Sequence, residues 1–295
     1  MIDFLGVPMP VLMGQLLLGL INGAFYAVLS LGLALIFGLL NIINFAHGAF
    51  YMLGAFVAWL ALQYLGIGYW PALILAPLVV GAFGVIIERL LLKRLYDLDH
   101  LYGLLLTFGL ALVIEGTFRQ IYGISGQPYK LPDILSGGIN LGFIFLPKYR
   151  AWVIIASVVM CLATWLIIER TKLGALMRAA TENPDLVRAF GVNVPLLVTL
   201  TYGFGVALAA FAGVLAAPIY SVNPIMGSHL IIVVFAVVVI GGMGSIMGAV
   251  VSGFMLGVFE GLTRVFWPEA SSVIIFVIMA VVLMVKPNGL FGRTA

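Results

Sequence analysis

The sequence predicts an all-α fold, a polytopic bundle of membrane helices. Three observations carry that expectation. Over 295 residues, hydrophobic side chains make up 64% and charged ones 8%, with a mean hydropathy of +1.23. So few charges do not cover the surface of a water-soluble protein of this size. The apolar residues fall in continuous runs, without the alternation of a membrane barrel strand. Most runs reach the roughly 20 residues that a helix needs to cross about 30 Å of hydrocarbon.

In order, the runs are 11–39, 44–66, 70–92, 102–122, 151–169, 196–217, 225–243, 246–266 and 271–286. They read as about eight or nine spans or re-entrant segments. The first is too long for a signal-peptide h-region, and long enough to be bent or doubled. The runs at 225–243 and 246–266 meet at Gly241-Gly242-Met243-Gly244-Ser245, and are either two spans or a broken, re-entrant pair. Residues 123–149 carry Gly126, Pro128, Pro132, Gly137, Gly138 and Pro147, and read as turns or a hairpin. No soluble domain fits, so residues 1–295 read as a single membrane domain. The one cysteine, Cys161, lies in a span and excludes an intramolecular disulfide.

Basic residues orient the chain. Arg89, Lys93, Arg94, Arg170, Lys172, Arg178, Arg188, Lys286 and Arg293 fall on one side. The other side has fewer: Arg119, Lys130, Lys148, Arg150 and Arg264. The expected topology puts the C-terminus and residues 169–193 in the cytoplasm, with the N-terminus outside. The basic residues are not clustered as nucleic-acid binding requires.

Residues 169–193 are the long charged island of the chain. Leu173, Leu176, Met177 and Ala180 keep the i, i+3, i+4, i+7 spacing of one helix face. Asn183 is placed to cap a second, short helix, with Pro184 at its first position, Asp185 in its first turn and Gly191 as its stop. An amphipathic helix pair between two spans is a handle for a soluble partner. Leu186, Val187 and Phe190 offer that partner an apolar face.

Small residues recur every fourth position at Gly241, Ser245, Ala249, Gly253, Gly257 and Gly261, and again at Gly19 and Gly23. Such spacing lets helix backbones approach closely, within this subunit or against a second one. Two short echoes hint at duplication: Ile-Ile-Glu-Arg at 86–89 and 167–170, and Glu-Gly-x-x-Arg at 115–119 and 260–264.

Polar groups in the apolar background are the candidate site residues. Asn41, Asn44 and His47 cluster between the first two runs, at the expected cytoplasmic boundary. They either cap a tight hairpin or line a pathway. Glu115 with Arg119, and Glu260 with Arg264, stand at i, i+4 near the outer ends of their helices and read as ion pairs. They either brace that end structurally, or meet the charged groups of a substrate or an external partner. His47, His100 and His229 are scattered, no spacing fits a metal site, and no nucleophile stands near a base. No phosphate-binding Gly-x-x-x-x-Gly-Lys-Ser/Thr loop is present, so the chain is not expected to hydrolyse ATP or to act as an enzyme.

Asn44-Phe45-Ala46-His47-Gly48 followed by Phe50-Tyr51-Met52-Leu53-Gly54 resembles the signature of the LivH-type permease of bacterial branched-chain amino acid ABC importers. Gly174, Arg178, Ala179, Gly191, Val192 and Asn193 match that family's cytoplasmic loop. Asp185 and Gly191 hold the acid and glycine places of the Glu-Ala-Ala-x-x-x-Gly loop of ABC importers. Gly241 to Ser245, with Gly248 and Ala249, resembles a further block. Two features depart from the pattern: Leu186 and Val187 replace small residues, and Ala49 replaces an acid. The resemblance implies an inner-membrane permease subunit beside a LivM-like second permease. It implies that two ATP-binding subunits, using ATP and Mg, dock on the short helix, and that a soluble extracytoplasmic protein delivers leucine, isoleucine, valine or a similar amino acid. This chain itself then binds no cofactor. Permeases of urea and short amides share much of the pattern. An ion-coupled secondary transporter is the reading from a different class, and it requires an unpaired intramembrane acid or a sodium site at broken helices.

Overall fold

The computed structural model describes residues 3–292 except 5, 41, 97, 141, 143 and 144. The helices among these are α1 (Met9–Leu40), α2 (His47–Leu65), α3 (Tyr69–Leu90), α4 (His100–Tyr122), α5 (Lys148–Arg170), α6 (Lys172–Glu182), α7 (Pro184–Ala189), α8 (Val194–Tyr220), α9 (Ser228–Gly241), α10 (Ile246–Phe266) and α11 (Ile274–Val285). Seven of them, α1 to α5, α8 and α10, are long and apolar enough to cross a membrane. The first run is one helix of 32 residues. The runs at 225–243 and 271–286 are not full-length spans: α9 has 14 residues and α11 has 12. Residues 123–149 do contain a hairpin, β1 (Gly138–Asn140) paired with β2 (Phe145–Pro147).

Backbone contact between α1 and α10 organises the bundle. The two helices run antiparallel: Gly19 meets Gly257 and Gly261, Gly23 meets Gly253 and Phe254, and Gly38 meets Gly244. The small-residue stripe therefore packs within this subunit. Ser30 Oγ donates to the Ala249 carbonyl at 3.1 Å across the same contact. α8 runs antiparallel to α3, with Gly203 and Ala207 against Gly81 and with Val206 against Gly84. Glycine and alanine at each crossing let the central helices α1, α2 and α8 bury most of their length.

One end of the bundle collects the C-termini of α1, α3, α5, α9 and α11 and the N-termini of α4, α8 and α10. The charged island sits there, since Thr181 Oγ donates to the Gly38 carbonyl at 3.2 Å. The C-terminal segment closes the same end, with Leu290 and Phe291 N–H groups on the Ile240 and Gly241 carbonyls. The Gly241–Ser245 turn thus faces the island, as the alternation of runs requires. At the far end, Gln127 bridges to Val222, and the Tyr149 hydroxyl donates to the Leu215 carbonyl at 2.9 Å.

Two helices begin inside the bundle. Chain direction reverses after Leu40, yet His47 Nε2 lies 3.0 Å from the Leu29 carbonyl. At 1.5 Å rise per residue, that is roughly 16 Å up from the end of α1. A Cβ on Gly48 would lie 2.6 Å from the Gly227 carbonyl oxygen, so the starts of α2 and α9 touch. Non-helical backbone at this depth requires protein cover and internal hydrogen bonds. Asn44 Oδ1 takes the Ala46 N–H at 3.1 Å, and Thr107 Oγ takes the Phe45 N–H at 3.2 Å while donating to the Ile43 carbonyl. On the other segment, Met226 and Ser228 N–H groups close turns on the Asn223 and Ile225 carbonyls.

Candidate functional site

The island is a folded element seated on the bundle. Asn183 Oδ1 accepts the Leu186 N–H at 2.9 Å, Pro184 opens α7, and Gly191 adopts φ +82°. Gly191 N–H bonds the Arg188 carbonyl and Val192 N–H the Val187 carbonyl, the paired bonds of a Schellman stop. α6 buries Gly174, Met177 and Ala180, whereas Leu173 is exposed. Met177 and Ala180 of the expected face are thus buried and Leu176 partly so, while Gly174 takes the place expected for Leu173. Gly174 is required by contact: a Cβ there would fall 1.7 Å from the Ile168 carbonyl oxygen at the end of α5. Arg178 ties the same joint, donating to the Ile168 carbonyl at 2.9 Å and to Glu169 at 3.4 Å. Ala179 is exposed, and its carbonyl receives the Asn183 N–H.

The expected partner face on α7 needs one correction. Val187 is 7% exposed and packs into the chain's own core. Leu186, at 55%, and Phe190, at 79%, are the apolar side chains that point away. Helical spacing explains the difference: a six-residue helix lying on a surface turns one residue in four inward, and that residue is Val187. Asp185 and Arg188 form an exposed pair at 3.1 Å on the outer side.

Of the polar cluster, Asn41 lies outside the described residues. Asn44 and His47 are 1% and 0% exposed. They lie deep in the bundle rather than at its boundary, because the chain climbs back before α2 starts. Asn44 Nδ2 donates to the Tyr202 hydroxyl at 3.2 Å while its Oδ1 holds the turn. Both residues brace the reversal, and neither lines an open cavity here. Cysteine at 44 or 47, in a Cys161→Ser background, is accordingly expected to resist a polar thiol reagent applied from either side. Reaction at either position would show a second conformation in which this turn opens.

The two expected ion pairs diverge. Glu260 and Arg264 are paired, and the Tyr26 hydroxyl donates to Glu260 at 2.8 Å. Glu115 and Arg119 do not pair: Glu115 instead accepts from Ser228 Oγ at the start of α9, and Arg119 is exposed. The serine hydroxyl arrives from a segment whose deep start the sequence does not announce. Sequence reasoning also missed Glu88, which is 1% exposed and accepts hydrogen bonds from Tyr96 and Thr199 hydroxyls at 2.6 and 2.7 Å. The Ile-Ile-Glu-Arg echo contained it, but its counterpart Glu169 is exposed and bound to Arg178. Neither echo carries a shared role.

Two cavities of about 490 Å³ lie at different heights in the bundle. One is at the island end, walled by Phe37, Glu169, Arg178, Ser245 and Asn288. The other is in the far half, where Asn22, Tyr26, Asn223, His229, Glu260 and Arg264 present polar groups among apolar neighbours. Hollows at both heights and a capped handle at one end suit a protein that passes a small molecule through itself.

Comparison with known proteins gives one consistent family. The model of the family described as "Branched-chain amino acid transport system / permease component" matches residues 15–283. BraD of Pseudomonas aeruginosa, a high-affinity branched-chain amino acid transport system permease protein, is 31% identical over 95% of both chains. LivH of Escherichia coli, described in the same words, is 30% identical over 95% of both. LivM of Escherichia coli is 26% identical over 91% of this chain and 68% of its own. Among solved structures, a chain of PsaBC from Streptococcus pneumoniae in complex with Fab aligns over 91% of this chain and 89% of its own. Its identity is 13% and its TM-score 0.46, too distant to carry an argument.

Proposed function

The chain belongs to the branched-chain amino acid transport permease family, and on that premise we propose its place in an ATP-driven importer. It is a multi-pass membrane permease subunit, not itself an enzyme. In our reading it forms the pathway together with a second, LivM-like permease. Two cytoplasmic ATP-binding subunits, using ATP and Mg, dock on α7. A soluble extracytoplasmic protein delivers leucine, isoleucine or valine. The island and the C-terminus face the cytoplasm of a plasma (inner) membrane. The charge count supports this, although Arg293 lies outside the described residues.

The observation that carries the reading is α7 itself. A six-residue helix capped at both ends, and following α6, which Gly174 and Arg178 clamp to α5, holds Leu186 and Phe190 out from the bundle. Large apolar side chains on a charged, water-facing element are costly to leave bare and mark a contact surface. A rigid seat also transmits force: motion of a partner on α7 reaches α1 through Thr181 and Gly38. The test is purification of the tagged chain from its native membrane, followed by uptake in proteoliposomes. Recovery of a second permease and of ATP-binding subunits, with ATP-dependent leucine uptake, is expected. Leucine uptake that needs no ATP but follows an ion gradient would establish a secondary transporter. Uptake of urea or short amides alone would move the substrate class.

A further inference from the structure

We propose that Glu260 and Arg264 are the zwitterion-recognition element of the translocation path, with Glu260 receiving the substrate's ammonium and Arg264 its carboxylate. The proposal rests on the transport reading above and deepens it by giving the substrate's charged groups named partners.

The geometry points there for four reasons. The pair opens into the far-half cavity, whose volume of about 490 Å³ lies within the range of small-molecule sites. Glu260 is 6% exposed, and a buried structural ion pair is a poor substitute for apolar packing. Arg264 is more open, with 39% of its side chain exposed, and among the described residues its hydrogen bond is to Glu260. Asn223 Oδ1 is buried at the same cavity and has no hydrogen-bond partner among the described residues. Asn223 belongs to the non-helical segment before α9, which starts at Ser221. Ser221, at φ +58°, is the one non-glycine residue with positive φ among the described residues.

The chemistry selects a zwitterion. When the cavity is empty, the two side chains neutralise each other, and the Tyr26 hydroxyl holds the carboxylate in place. A bound amino acid exchanges one contact for two: its ammonium meets Glu260, while its carboxylate meets the guanidinium. Net charge in the cavity is zero before and after. A bare cation or anion leaves one charge of the pair unmatched among apolar walls. Phe25, Ile225, Met226 and Leu230 supply apolar wall for an aliphatic side chain. Because the pair re-forms on departure, the site releases what it binds, as a path must.

The experiment uses the assembled importer in proteoliposomes. In a Cys161→Ser background, His229→Cys places a thiol on the cavity wall, and its rate of reaction with a polar thiol reagent is measured. Millimolar leucine is expected to slow the reaction several-fold. Leucinamide, lacking the carboxylate, and isocaproate, lacking the ammonium, are expected not to. This arm needs no change in the pair. Separately, Glu260→Gln and Arg264→Gln are expected to lower leucine uptake at least about tenfold, the loss of a charge-assisted hydrogen bond. ATP hydrolysis stimulated by the loaded binding protein should persist. Equal protection by all three compounds, or no protection by leucine, overturns the proposal. So does wild-type uptake in both variants, or a parallel fall of uptake and ATP hydrolysis, which is the mark of a merely structural pair. If the unaltered complex takes up no amino acid, the transport reading fails instead.

Discussion

Gly257→Leu is expected to remove nearly all folded protein from the membrane. A Cβ at 257 would lie 2.4 Å from the Gly19 carbonyl oxygen and 2.4 Å from both Cα and N of Gly23. Those neighbours are helical backbone, so no side chain can swing aside. The two helices must part along their length. Parting also strips the Ala249 carbonyl of the Ser30 hydroxyl and Glu260 of the Tyr26 hydroxyl. Overpacking a core costs about 1–3 kcal/mol where side chains can adjust, and backbone contact leaves less room to adjust. Gly253→Leu should behave alike, since its Cβ would meet Ala27 Cα and N at 2.6 Å. The measurement is the yield of monodisperse protein after detergent extraction, set against Gly116→Leu in α4. Nothing lies within 4 Å of a Cβ at Gly116, so that variant should resemble the wild type. Ordinary yield and uptake for Gly257→Leu would mean that α1 and α10 are not joined at this crossing.

The second large effect separates the two faces of α7. Leu186→Asp combined with Phe190→Asp is expected to abolish uptake and co-purification of the ATP-binding subunits, at unchanged yield of the permease. Both side chains are exposed in the isolated chain, where surface substitutions cost within about 0.5 kcal/mol. In the complex, the same carboxylates would enter an apolar contact without partners, at a cost of several kcal/mol. Val187→Asp acts on the fold instead. Its carboxylate would be buried against the chain's own core, so the island should loosen, and loss of yield or protease cleavage within residues 169–193 should precede any loss of docking. Wild-type uptake for the Leu186/Phe190 double variant would remove α7 as the docking element. Intact yield and loss of docking for Val187→Asp would mean that this residue faces the partner after all.

Local rules explain which parts were legible in advance. Helix α7 is written in adjacent residues: Asn183 caps, Pro184 starts, Gly191 stops. Each of those roles depends on atoms at most a few residues away. The glycine stripe was equally readable as close packing, because the absence of a side chain is a property of the residue. Its partner was not, since the choice between α1 and a second subunit depends on where a helix more than two hundred residues away comes to lie. Val187, Glu115 and Glu88 show the same limit. The first turns inward onto the chain's own core, the second meets Ser228 rather than Arg119, and the third finds hydroxyls on Tyr96 and Thr199.

By itself, then, the sequence determined the membrane, the helices, their alternation and the capped handle. These follow from the cost of exposing backbone to hydrocarbon and from hydrogen bonds that close within a turn. Tertiary structure alone decided that α2 and α9 begin deep in the bundle and that α9 and α11 fall short of full spans. It alone placed Asn44 and His47 in an enclosed turn, and brought Tyr26, Asn223, Glu260 and Arg264 around one cavity. The physical reason is range. A run of apolar residues states that a segment is covered, but a carboxylate's partner is whichever donor the fold delivers. In this chain Glu260 pairs with Arg264 four residues on, but its second donor, Tyr26, comes from a helix 234 residues earlier.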